Sequence, residues 1–136
     1  MWGRARAPDL PTILLAERHD SLSEVLTRLL AEEGFYVLSA DTRHRFLMQL
    51  RDATRIDIVI ADRGLRGMPA WDIVQEATWR RPGVRCVRLV ESRAEALPIY
   101  GIDPSTEAIL QTPVTIIQLL VAIEDLLRRA EPAGAP

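Results

Sequence analysis

The seven residues Ile56-Asp57-Ile58-Val59-Ile60-Ala61-Asp62 decide how the chain is read. Four of them are isoleucine or valine, which marks a short strand buried on both faces. The run ends in a carboxylate. Arg63-Gly64-Leu65-Arg66-Gly67-Met68-Pro69 follows, a loop by its two glycines and its proline. In an open parallel sheet, ligands gather outside the carboxyl ends of the strands. Asp62 would then stand on a stiff strand and still reach solvent. A strand stop or a helix cap is the plain alternative for such an aspartate.

On either side the same alternation repeats. Thr12-Ile13-Leu14-Leu15-Ala16 is a buried first strand. Ser21 and Glu24 form a capping box, and Leu22, Val25, Leu26, Leu29 and Leu30 recur at helical spacing toward a core. Gly34 supplies the left-handed stop. Residues 35–39 predict a second strand. Thr42 predicts the cap of a second helix with Phe46, Leu47 and Leu50 inward. Trp71, Ile73, Val74 and Ala77 mark a third helix that ends before Pro82-Gly83. Residues 84–90 predict a fourth strand, interrupted by Arg85 and Arg88. Since a strand buried on both faces is uniformly apolar, this one lies nearer an edge or Arg88 meets a carboxylate. Ser92 and Glu95 make a second capping box on a helix cut short by Pro98. Residues 107–111 predict the fifth strand. Thr115 and Gln118 make a third box, and the last helix turns Ile116, Leu119, Leu120, Ile123, Leu126 and Leu127 inward.

Strand–helix alternation of this kind predicts an α/β fold with a parallel sheet and helices on both faces. Right-handed crossovers leave the doubly wound order 2-1-3-4-5. That order gathers Glu17 and Arg18, Asp62, Val90-Glu91-Ser92 and Thr112-Pro113 around one cleft.

Composition narrows the function. The 136 residues predict one domain over 12–130 between disordered tails, 1–11 and 131–136. A net charge of −2 with no basic excess argues against nucleic acid. Cys86 is the only cysteine, which excludes a disulfide or a cysteine zinc site within the chain. No apolar run approaches the ~18 residues of a membrane span, and no secretory signal opens the chain. A cytoplasmic protein with no membrane partner is expected. His19 and His44 lack ligand spacing, no phosphate-binding glycine loop follows the first strand, and no nucleophile elbow is present. An enzyme is not expected. Arg43, Arg45, Arg51, Arg55, Arg80 and Arg81 read as solvated helix faces. Trp71 and Trp79, eight residues apart on one helix, leave room for one core and one exposed ring.

From residue 12 to residue 129 the chain resembles the receiver domain of two-component response regulators, a flavodoxin-like (βα)5 fold. The resemblance implies that Asp62 is the phosphoacceptor, fed by a histidine kinase. The family's acidic pair, which holds Mg²⁺, falls on Glu17 and Arg18, so one member is basic. Its switch hydroxyl falls on Val90 and its lysine on Thr112, with the following proline kept as Pro113. Its aromatic switch position falls on Ile109, and Arg66 replaces the usual loop proline. Glu17 and Asp62 alone remain for a metal, so Mg²⁺ binding is expected to be lost. Arg18 is expected to reach toward Asp62 in the metal's place. The chain thus resembles atypical, pseudo-receiver variants. It is expected to be a stand-alone signalling module that needs no cofactor and works by contact with a kinase or other protein, or as a homodimer through the last helix. Ile109, Ile117 and Val121 are its candidate interface residues. The alternative is a receiver that takes a phosphoryl group on Asp62 with Mg²⁺. An unrelated flavodoxin-like ligand-binding domain is a third, with no glycine loop to support it.

Overall fold

The computed structural model describes residues 10–18, 21–91 and 105–130, with the side chains of residues 21–23 and 130 left aside. Residues 1–9 and 131–136 of the two tails, His19, Ser21's capping contact and the expected Ser92–Pro98 helix lie outside what is described. The strands are β1 (Thr12–Glu17), β2 (Tyr36–Ala40), β3 (Ile58–Asp62), β4 (Arg85–Val90) and β5 (Glu107–Gln111). The helices are α1 (Ser21–Glu32), α2 (Arg43–Asp52), α3 (Ala70–Arg80) and α4 (Ile116–Ala130).

All five strands pair in parallel in the order β2-β1-β3-β4-β5. The chain is therefore the doubly wound α/β sheet that its alternation predicts. β1 and β3 are buried at every residue, as strands covered on both faces must be. Ile13, Leu15, Ile58, Ile60, Val87 and Leu89 pack with Leu119, Ile123 and Leu126 of α4. The alternate residues Leu14, Ala16, Val59, Ala61 and Cys86 pack on the other face with Phe46 and Leu50 of α2 and Ile73 and Ala77 of α3. The period-two reversal of side chains along a strand divides one apolar run between two cores.

Local signals appear as hydrogen bonds. Thr42 Oγ1 accepts from Arg45 N at 3.0 Å. Gln118 N donates to Thr115 Oγ1 at 3.0 Å while Thr115 N donates to Gln118 Oε1 at 2.8 Å, a reciprocal capping box. One inward assignment fails. Val25, placed by periodicity on the core stripe of α1, is 50% exposed. The stripe of α1 is narrower than its leucines and valines indicate, and Val25 stands on its rim. Trp79 is 83% exposed, whereas Trp71 is partly covered. Among the described residues no helix is long and apolar enough to cross a membrane.

The apparent defect in β4 resolves through pairing. Arg88 is 2% exposed, and its Nε donates to Glu107 Oε2 at 2.9 Å across the β4–β5 boundary. The guanidinium also lies 5.2 Å from the ring centroid of Trp71, a cation–π distance. Burial raises the pKa of the Glu107 carboxyl, against the opposing pull of Arg88.

Candidate functional site

The tip of β3 is built by register. Glu17 and Asp62 are paired neighbours across β1 and β3, and Asp62 is paired with Leu89 of β4. Glu17 is 4% and Asp62 9% exposed, so both carboxylates sit at the mouth of the sheet rather than in open solvent.

Beyond Asp62 the backbone turns sharply. Arg63 has φ 62° and Gly64 φ 95°, two left-handed residues in succession. Arginine rarely adopts that region. Glycine is required at 64 for a second reason, since a Cβ there would lie 3.0 Å from Ala70 N and 3.1 Å from Met68 O. Leu65 N donates to Met68 O at 2.8 Å and Met68 N to Leu65 O at 2.9 Å, closing the loop around Arg66 and Gly67.

This turn folds Arg63 back over its neighbour. Arg63 Nε donates to Asp62 Oδ1 at 2.9 Å, and Arg63 Nη1 lies 3.6 Å from Glu91 Oε2. A guanidinium does stand on Asp62, and it belongs to Arg63. Arg18, the residue expected there, is exposed at the end of β1. The sequence signal for this geometry is the Arg63-Gly64 step after the strand, which is legible only once the left-handed turn is known.

The remaining cleft positions gather as the strand order requires, with altered chemistry. Val90 is buried and has no hydroxyl. Thr112 turns back to β4, its N donating to Val90 O at 2.7 Å and its Oγ1 to the same oxygen at 3.3 Å. Pro113 lines a groove of about 440 Å³ with Asp62, Arg63, Val25, Leu29 and Ile116. Glu17 borders a different hollow, of about 550 Å³, with Glu24, Asp41 and Arg45. Ile109 is partly buried opposite Arg88, and Ile117 and Val121 are 68% and 59% exposed on α4. The Cys86 thiol is buried and its pKa is pushed up to about 12, which removes it as a nucleophile.

A divalent ion at this edge would have to share Asp62 with Arg63. One oxygen of Asp62 already accepts a guanidinium N–H, and Glu17 opens onto another hollow. Among the described residues no three histidine, cysteine, aspartate or glutamate side chains come together as a metal site.

Comparison with solved structures agrees with this topology. A response regulator receiver protein from Sinorhizobium medicae WSM419 superposes with a TM-score of 0.79 at 25% identity, covering 92% of this chain and 100% of that one. This chain has the receiver-domain fold. A CheY-like receiver domain from Methanospirillum hungatei JF-1 gives a TM-score of 0.76 at 22% identity, over 90% of this chain and 98% of that one. A structure described as an adenylate cyclase from Rhodopirellula baltica gives 0.80 at 17% identity, with 93% of each chain covered. No protein-family model and no curated protein matches the sequence. The receiver fold is thus shared with these structures at 17–25% identity.

Proposed function

We propose that this receiver module serves two-component signalling through protein contact, with Mg²⁺-dependent phosphorylation of Asp62 impaired or lost. The observation that carries the reading is the Arg63 Nε–Asp62 Oδ1 bond of 2.9 Å. Acyl phosphate formation requires positive charge at the incoming phosphoryl oxygens and a carboxylate oxygen free to attack. Here the fixed cation sits on the carboxylate itself. The charge of Asp62 itself is already offset, and a guanidinium repels a second cation.

A phosphoryl group on Asp62 would also find little to move. The Val90 side chain offers no donor, and both donors of Thr112 are engaged with the Val90 carbonyl. A ligand shifts a conformational equilibrium only through contacts that differ between the two states. The surfaces left for signalling are apolar ones: the groove beside Asp62, rimmed by half-exposed Val25, and the Ile117–Val121 face of α4. A kinase, another signalling protein or a second copy of the chain would meet them there.

Incubation with acetyl phosphate and Mg²⁺, followed by intact-mass measurement, tests this reading. The expected result is an unmodified chain. Stoichiometric, Mg²⁺-dependent addition of one phosphoryl group at Asp62 would establish the phosphorylatable alternative instead.

A further inference from the structure

The opposite edge of the sheet carries a second concentration of charge. A groove of about 430 Å³ under the amino ends of β3 and β4 is bordered by Arg55, Arg80, Arg81 and Arg85, with Asp57 and Leu127. Four arginines border it against one lining carboxylate, and with Glu76 paired to Arg80 just outside, the local excess is two positive charges in a chain whose formal charge is −2. The lining carboxylate is already engaged. Asp57 Oδ2 accepts from Thr12 N at 2.7 Å and lies 2.8 Å from Arg55 Nε.

The arginines are held by the fold. Arg81 Nε donates to Leu50 O at 2.8 Å and its Nη2 to Ala53 O, tying the end of α3 to the end of α2. Arg85 Nη1 donates to Gly83 O, while its Nε is buried and makes no hydrogen bond. Arg80 is anchored at Nε by Glu76 Oε1 at 2.8 Å and stays 44% exposed. Between them, Pro82 and Gly83 form a tight turn, with φ 94° at Gly83 and Val84 N donating to Arg81 O at 3.0 Å.

We propose that this groove binds a small polyphosphate anion, the class that includes tripolyphosphate and the phosphate arm of a nucleotide. Planar guanidinium forks match phosphate oxygens in pairs. An anion of two or more charges answers that excess, which a monocarboxylate would not. The volume lies within the range of small-ligand sites, about 300–1,000 Å³. Ligands of doubly wound sheets ordinarily gather at the carboxyl edge, so this site is separate from the one around Asp62.

The test is an amide-resolved NMR titration of the full chain with sodium tripolyphosphate at constant ionic strength. Saturable shifts centred on Ile56, Gly83 and Arg85, with Asp62 and Arg63 unmoved, are expected. Arg85→Gln and Arg55→Gln should each weaken binding about tenfold or more. Arg43→Gln removes the same charge from the start of α2, beyond the carboxyl end of β2, and should change affinity less than about twofold. A parallel titration with ATP separates the sources. Tighter binding than tripolyphosphate assigns a nucleotide, and equal binding assigns free polyphosphate. Shifts centred on Asp62, shifts spread over arginines elsewhere, an equal loss in Arg43→Gln, or no saturation would each overturn the proposal. The wild-type titration does not depend on any variant folding.

Discussion

Two ion pairs of the same chemistry stand on adjacent strands. In each, an arginine Nε donates to a carboxylate oxygen at 2.9 Å. Arg88–Glu107 is sealed, with side chains 2% and 4% exposed, whereas Arg63–Asp62 is 37% and 10% exposed. Equal distances conceal unequal consequences. A sealed pair cannot be broken without leaving a charge in a low dielectric, so it fixes the register of β4 and β5. A pair at the rim can exchange with water, a metal ion or a partner, so its identity governs what the site binds.

Arg88→Met is the most disruptive way to probe that contrast. Removing one partner of a buried pair costs about 3–5 kcal/mol, measured by urea unfolding. Arg88→Met with Glu107→Leu should recover most of it, because an apolar replacement of both partners leaves no buried charge. The single variant should also depend on pH. Burial already raises the Glu107 pKa, and losing Arg88 removes the opposing pull. A carboxyl whose folded pKa is raised contributes stability below its unfolded pKa and loses it as pH rises through the folded one. Arg88→Met should therefore be closer to wild type at acid pH than at pH 8. A loss that does not shrink on acidification would show that Glu107 stays ionised without Arg88.

Arg63→Ala should have a far smaller effect on unfolding, about 0.2–1 kcal/mol, the range of exposed pairs. Loss of several kcal/mol would erase the distinction between the two pairs and make Arg63 a structural residue.

Much of this was legible in the sequence, and the failures have physical reasons. Strand alternation and the cap at Thr42 depend on neighbours in the chain, so they read directly. Arg88 announced itself as a misfit in an apolar strand, although Glu107 could be named only from the β4–β5 register. Arg63 escaped notice because the sequence places it only in a loop, which gives its side chain no direction. Its left-handed backbone brings it back, and nothing local in an arginine foretells that conformation. Arg55, Arg80, Arg81 and Arg85 are dispersed over 31 positions of sequence and meet only through the parallel packing of β3 and β4.

The most direct measurement is an isothermal titration of Mg²⁺, in the millimolar range, into the wild-type chain and the Arg63→Ala variant. If Arg63 holds the place of the metal, the wild type shows no saturable binding, and removal of the guanidinium lets the ion bind at Asp62. Saturable Mg²⁺ binding by the wild type that Arg63→Ala leaves unchanged would show that the guanidinium and the metal do not compete.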